Sequence, residues 1–390
     1  MAPTTIRGNW NYPTPIRFGP GRIKELPNAC QELGIERPLL VTDPGLAALP
    51  IVEEALQTNI LAGIPTAMFC EVQPNPLEQN VLDGVLAFAK GNHDGIVAMG
   101  GGSALDVGKA IGLMVGQNRP LRDFEDVGDN WLRVNESGMV PVVAVPTTSG
   151  TGSEVGRAAV IGDADTHQKR IIFHPKMLPG RVICDPALTV GLSPQITAAV
   201  GMDALSHNLE AFCAPGFHPM ADGIAMEGIR LVAESLPTAV REPTNMTARA
   251  NLMTASTLGA TAFQKGLGAM HSMSHPISAK LGAHHGLTNA VVMPYVLNLN
   301  RDAIADRMIC LARLLDLPEP SFMAVLDWIL ALRAEIGIPH TLAEIGVTEA
   351  HASVLAPLAL ADPSTGTNPK RLSVSDFERL FVKAVRGELS

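Results

Sequence analysis

The histidines gather in a few places along the chain, and their spacing is where its chemistry begins. Asp203 and His207 stand four residues apart in GMDALSHNLEAF, a stretch with helical character. At that spacing the two side chains share one helix face, one turn apart. His271 and His275 repeat the interval in HSMSHP, and His284 and His285 follow just before Gly286. A carboxylate and several imidazoles displayed this way can make a mixed nitrogen–oxygen site for a divalent first-row metal. A lone histidine of this kind is more often a hydrogen-bonded core residue than a ligand. Six such groups in apolar helices with few charges nearby reverse that balance, because each would otherwise need a separate buried partner. Spacing by itself does not choose the metal.

A second chemistry is carried by glycines and hydroxyls. Gly100-Gly101-Gly102-Ser103 follows an apolar run at 95–99 and precedes a helical pattern over 104–115. Glycines let the backbone approach a phosphate closely, and a helix beginning there aims free N–H groups and its positive dipole end at the anion. Ser103 with Asp106 three residues on has the form of a capping box that would fix the helix start. The triplet also fits a tight glycine turn with an ordinary cap, and it is not the G-x-G-x-x-G dinucleotide fingerprint. A second loop, PTTSGTGSE at 146–154, follows another apolar run at 142–145. Its five hydroxyl-bearing residues and two glycines suit a phosphate or a ribose, or else a solvated loop. Asp43 ends a third such run and can accept hydrogen bonds from an adenosine ribose. Its carboxylate would repel a 2′-phosphate, which favours NAD over NADP; as part of a bare Asp-Pro-Gly turn it would mean little.

These groups need elements to position them. Short β-branched runs at 39–43 (LLVTD), 67–72, 95–99, 142–145 and 182–185 read as buried strands, with helical patterns at 51–62 and 81–90 between them. Such alternation predicts a parallel sheet covered on both faces, with both loops at the carboxyl ends of strands, where open α/β sheets bind ligands. Beyond Ser193-Pro194, an N-cap followed by a proline at the first helical position, the pattern becomes helix after helix: 194–213, 220–236, 246–264, 266–281, 301–314 and 320–336. The expectation is an α/β domain over 1–190 and an all-helical domain over 191–390.

Composition narrows the class. The 390 residues carry 29 Lys+Arg against 38 Asp+Glu, a net charge of −9 that lacks the footprint of a nucleic-acid binder. No polybasic run points to a membrane surface. The apolar stretch at 95–116 is interrupted by Asp106 and Lys109 and does not read as a membrane span. Five widely spaced cysteines without a C-x-x-C argue for free thiols in a reducing cytoplasm, and the opening MAPTTIRGNWNYP has no signal-peptide pattern.

Taken together, FGPG at 18–21, PNP at 74–76, GGGSALDVGK at 100–109, PTTSGTGSE at 146–154, GMDALSH at 201–207 and HSMSHP through HHG at 271–286 are a specific set covering nearly the whole chain. The sequence resembles the iron-containing (group III) alcohol dehydrogenases of the dehydroquinate-synthase-like superfamily. The resemblance implies a Rossmann-like N-terminal domain, a helical C-terminal domain, and a cofactor and metal site in a cleft. Carried over by position, it makes Asp203, His207, His271 and His285 the metal ligands. His275 then becomes a histidine near the nicotinamide that passes the proton, and His284 a bystander. The dinucleotide would contact Asp43, Asn75, Gly101, Gly102, Ser103, Thr147, Thr148, Thr151 and Lys169, with Leu188 in addition. All four ligand positions are filled, unlike the metal-independent maleylacetate reductases with a similar pattern.

The implied enzyme is an NAD-linked alcohol dehydrogenase or aldehyde reductase using Fe(II), with zinc as the alternative ion and NADP the less favoured coenzyme. Its substrate is a small primary or secondary alcohol, and its assembly a homodimer or larger. By analogy Phe212, Cys213, Phe263 and Ser364 line the substrate pocket, Gly156 and Ala158 widen it, and Arg157 faces solvent, a carboxylate or an acidic substrate. Rival readings are a zinc polyol dehydrogenase or a hydroxyacid–oxoacid transhydrogenase of the same superfamily, and a metal-dependent lyase or hydrolase from outside it.

Overall fold

The computed structural model describes residues 14–164 and 169–389; the opening segment read for a signal peptide lies outside the described residues. The chain forms two compact units. One runs up to Thr148 and again from Gly152 to Gly191; the other takes in Ser149–Thr151 and everything from Leu192 onward.

In the first unit the described strands are β1 (Ile16–Phe18), β2 (Pro38–Val41), β3 (Ala67–Phe69), β4 (Gly95–Gly100), β5 (Val142–Pro146), β6 (Ala158–Gly162), β7 (Lys169–Phe173) and β8 (Arg181–Cys184). Six of them form one parallel sheet in the order β1-β8-β5-β4-β2-β3, while β6 and β7 pair with each other as an antiparallel hairpin. Every residue of β2, β4 and β5 is buried. That is why these segments read as continuous apolar runs without alternation. The helices are α1 (Leu26–Glu32), α2 (Pro44–Ala47), α3 (Pro50–Leu61), α4 (Glu78–Lys90) and α5 (Gly102–Met114). The strands expected at 39–43, 67–72, 95–99, 142–145 and 182–185 are β2, β3, β4, β5 and β8; β1 and the hairpin are additions.

The capping box expected of Ser103 and Asp106 does not form. Gly101 is the N-cap of α5, with no side-chain cap. Asp106, a turn into the helix, instead accepts hydrogen bonds from Ser153 Oγ (2.5 Å) and Val160 N (2.9 Å) and pairs with Lys109 Nζ (3.2 Å). Lys109 in turn donates to the carbonyls of Ser153 (2.9 Å) and Ala158. One charged pair on α5 therefore holds the segment leading into β6, and this competes successfully with local capping. Burial pulls the Lys109 ammonium below its usual range, opposed by the charges of Asp106 and Glu154.

The second unit contains α6 (Pro194–Cys213), α7 (Pro219–Arg241), α8 (Met246–Ala262), α9 (Ala269–Leu281), α10 (His285–Leu314), α11 (Phe322–Glu335), α12 (Ala352–Ala361) and α13 (Val374–Arg386). Ser193 caps α6 by accepting from Ile196 N (3.2 Å), with Pro194 opening the helix as the sequence indicates. From Thr197 to Cys213 every residue of α6 is buried, and the helix packs against α7, α8 and α10. A helix buried on every face belongs at the centre of its bundle. No helix among the described residues is long and apolar enough to cross a membrane, and all five cysteines are free thiols.

Candidate metal centre

Three helices of the second unit bring four ligand atoms together. Helix α6 presents Asp203 and His207 one turn apart, α9 supplies His271 from its first turn, and α10 begins with His285. One side-chain atom from each lies within 4.8 Å of all the others. Close approach of α10 to α6 depends on Gly286, where a Cβ would stand 2.7 Å from Ala199 O and 2.9 Å from Asp203 Cβ. Asp203, His207 and His271 are buried, whereas the His285 side chain keeps 21% of its surface exposed at the rim. The His207 and His271 rings stack at 4.6 Å, and those of His271 and His285 lie 5.4 Å apart.

The outer nitrogen of each ring is held by a partner that sets its tautomer. His207 Nδ1 donates to the carbonyl of Gly150 (3.2 Å), and His271 Nδ1 donates to Glu210 Oε2 (2.6 Å). Ser274 Oγ gives its proton to His271 O (3.2 Å) and so accepts from His285 Nδ1 (3.2 Å). With the proton on Nδ1, each Nε2 keeps its lone pair for the centre. At that centre Asn289 Nδ2 lies 2.9 Å from Asp203 Oδ1, 3.3 Å from His271 Nε2 and 3.2 Å from His285 Nε2. Three imidazole lone pairs and one carboxylate are a donor set that fits a divalent first-row cation, iron or zinc.

The electrostatics divide the rings. Burial, aided by the neighbouring His271, pulls His207 down to about 4 against the charges of Asp203 and Glu210, so it is neutral at ordinary pH. Burial pulls His271 the same way, but the hydrogen bond and charge of Glu210, with Asp203 and Asp362, outweigh it and leave His271 above its usual value.

His275 lies beside the four. Its ring stacks on His285 at 5.2 Å, and its Nδ1 is 2.7 Å from Asp362 Oδ2. Burial raises the Asp362 carboxyl, but the His275 charge and the hydrogen bonds from His275 and Ser364 bring it below its usual range. His284 stands apart as the exposed N-cap of α10, accepting from Leu287 N (3.3 Å). Glu210 and Asn289 went unread in the sequence. Their one signal was a polar residue within a turn of a candidate ligand, three past His207 and four past His285.

In the sheet unit most of the dinucleotide candidates gather at the carboxyl ends of parallel strands. Asp43, after β2, caps α2 by accepting from Leu46 N (2.9 Å) with Oδ1. Gly101, Gly102 and Ser103 follow β4 and open α5, whose first N–H groups have no side-chain cap. Thr147 and Thr148 follow β5; Thr147 is buried and donates its N–H to Gly100 O (3.0 Å), and Thr148 packs against Gly101. Leu188 lies buried in the turn after β8. Asn75 takes a left-handed turn (φ 52°) between two prolines, and Lys169 opens β7 opposite Gly162. Thr151 belongs to the short stretch counted with the helical unit. Among the pocket residues, Phe263 lies 5.3 Å from the His207 ring and Phe212 lies under the Arg307 guanidinium. Burial pushes the Cys213 thiol up to about 12. Ser364 donates its N–H to Asp362. Arg157 stacks over the Phe173 ring at 5.5 Å, and its charge also acts on the Asp126 carboxylate.

Comparison with known proteins gives a consistent result. Residues 13–186 match the model of the iron-containing alcohol dehydrogenases, and 197–385 match that of the family's C-terminal domain. The chain is 39% identical to 4-hydroxybutyrate dehydrogenase from Cupriavidus necator, over 96% of its own length and 99% of the relative's. It is 35% identical to the NAD-dependent methanol dehydrogenase of Bacillus methanolicus, over 97% and 100%. A crystal structure of 1,3-propanediol oxidoreductase superposes with a TM-score of 0.90 at 35% identity, covering 96% of this chain and 99% of that one.

Proposed function

The chain belongs to the iron-containing alcohol dehydrogenase family, and we propose that Asp203, His207, His271 and His285 hold its metal. It is an oxidoreductase acting on alcohols, with iron and NAD as its cofactors. The observation that carries the assignment is the convergence of four ligand atoms, of the right chemistry, within 4.8 Å. A divalent ion held there supplies Lewis acidity to the oxygen of the alcohol.

The remaining work falls to the protein's own side chains. His207 stays neutral through burial, and Gly150, Glu210 and Ser274 keep the three Nε2 lone pairs aimed inward. His275 accepts the hydroxyl proton at Nε2, because its Nδ1 is committed to Asp362, whose carboxylate stabilises the resulting imidazolium. The N-terminus of α5, with Gly101, Gly102 and Ser103, cradles the dinucleotide phosphates. Asn75, Thr147, Thr148, Thr151, Lys169 and Leu188 make its other contacts, and Asp43 selects NAD over NADP at the adenosine ribose. Hydride transfer then links a primary or small secondary alcohol to its carbonyl product. The compounds named for the relatives above (4-hydroxybutyrate, methanol and 1,3-propanediol) share a primary hydroxyl. We place the reaction in the cytoplasm, with Fe(II) the working ion and a homodimer or larger homo-oligomer the working assembly.

The test is a metal-reconstituted assay at 340 nm with NAD or NADH over C2–C6 alcohols, diols, hydroxyacids and aldehydes. Activity should appear with primary alcohols and require the ion. His271→Ala should lose metal and turnover together, by more than the roughly 10–100-fold that loss of an outer partner costs. Turnover that persists in metal-stripped protein would overturn the reading.

A further inference from the structure

We infer that Glu210 is a positioning residue of the metal centre: one carboxylate oxygen fixes the tautomer and ring plane of His271, while the other starts the helix that carries it. This role rests on the ligand assignment proposed above. Glu210 lies on α6 three residues past His207, only 5% exposed, and both of its oxygens are engaged. Oε2 accepts from His271 Nδ1 at 2.6 Å, and Oε1 accepts from the backbone N–H of Met270 at 2.7 Å. The N-cap of α9 is Gly268, which has no side chain to satisfy the first amides of that helix. Glu210 from α6, and Asn368, which accepts from Ala269 N at 3.2 Å, stand in for the missing cap. Gly268 makes this possible: a Cβ there would sit 2.9 Å from both the Glu210 and the Asn368 oxygens. The carboxylate that locates the helix along its axis through Met270 thus also locates the ligand on the next residue. Two ligands on α6 and one on α9 are tied into a single rigid unit.

The chemistry requires a carboxylate, because both neighbours are donors. An amide in the same place has one acceptor oxygen. If that oxygen faces Met270 N–H, its NH2 confronts His271 Nδ1, which must give up its proton to Nε2 and lose the lone pair aimed at the metal. If it faces Nδ1, two N–H donors collide at Met270. A residue acting only as a helix cap would lower stability when changed and leave metal affinity alone. A positioning residue moves the affinity itself.

The experiment measures zinc affinity of the full-length protein by competition with a chromophoric chelator, alongside thermal unfolding in excess chelator. Glu210→Gln should bind zinc roughly 10–100-fold more weakly than the parent. Asn368→Ala, which removes a cap contact without touching His271, should stay within about twofold of the parent. A Gln variant that also stays within about twofold while the parent binds zinc tightly overturns the role of Glu210 alone. A parent that takes up no zinc overturns the ligand assignment and this role with it. Should the Gln variant fail to fold, 15N NMR of histidine in the zinc-loaded parent decides: zinc on His271 Nε2 with a proton on Nδ1 is expected, and zinc on Nδ1 refutes the role.

Discussion

His207 shows most directly what burial does to an imidazole. Its folded-state value of about 4 lies below the ordinary 6.5, so between those two pH values the unfolded chain holds more protons than the folded one. Stability from this group is therefore complete above about 6.5 and is lost as pH falls toward 4, by an amount on the order of 3 kcal/mol. His271 is shifted upward and has the opposite sign, its contribution fading as pH rises. The clean measurement is therefore a difference: urea unfolding of the metal-free parent and of His207→Gln between pH 7 and 4.5. The parent should lose more stability over that interval, and parallel curves would count against the assignment. The same scale shows what spacing can and cannot say. Asp203 with His207, and His271 with His275, were visible because four residues make one helical turn. Which of His271 and His275 turns to the centre was not, since both lie on one face. Partners distant in sequence separate them: Glu210, 61 residues before His271, and Asp362, 87 residues after His275.

Among the elements, the clamp between α5 and the β6–β7 hairpin is the feature that local rules misread. Ser103 and Asp106 have the spacing of a cap, yet Asp106 gains more from Ser153 Oγ, Val160 N and Lys109 than a helix start could offer it. Lys109 is almost wholly buried, with Asp106 as its anionic partner and two carbonyls as its acceptors. Lys109→Met leaves that carboxylate without its cation and should destabilise the protein by about 3–5 kcal/mol in urea unfolding. It should also weaken NAD binding, because Ser153 closes the threonine loop. The loss on adding Asp106→Asn should be smaller than the sum of the two single changes. A loss below about 1 kcal/mol for Lys109→Met would mean the clamp is not what holds the hairpin. The hairpin itself was missed because β6 alternates between buried and half-buried positions with no polar residue on its outer face, and β7 buries only Ile172. Helix α10 was read only from residue 301, although it begins at His285. Its first half is buried nearly all round and contains Pro294, so it shows no amphipathic stripe and carries a residue that normally ends a helix. The buried parallel strands, by contrast, announce themselves as unbroken apolar runs.

At the scale of the whole molecule, the proposed ligand set has an uneven distribution that thermodynamic linkage turns into a measurable pattern. Asp203, His207, His271 and His285 all belong to the unit that begins at Leu192, and Gly150, which orients His207, is counted with that unit too. The residues we propose for the dinucleotide, Gly101, Gly102, Ser103, Thr147 and Thr148, all belong to the sheet unit. A ligand that binds only the folded state stabilises it by about 2.7 kcal/mol at a hundredfold excess over its dissociation constant. That free energy appears first where the ligand's contacts are made, as slower local opening. Adding zinc or Fe(II) to chelator-treated protein should therefore slow amide exchange in α6 and in the first turns of α9 and α10, leaving β4, β5 and β8 close to their metal-free rates. Adding NAD without metal should do the reverse, protecting the amides that follow β2, β4 and β5. Hydrogen–deuterium exchange followed by mass spectrometry resolves both sets of peptides in one experiment. Metal-induced protection confined to the sheet strands would place the ion away from the four side chains, whatever the protein's activity.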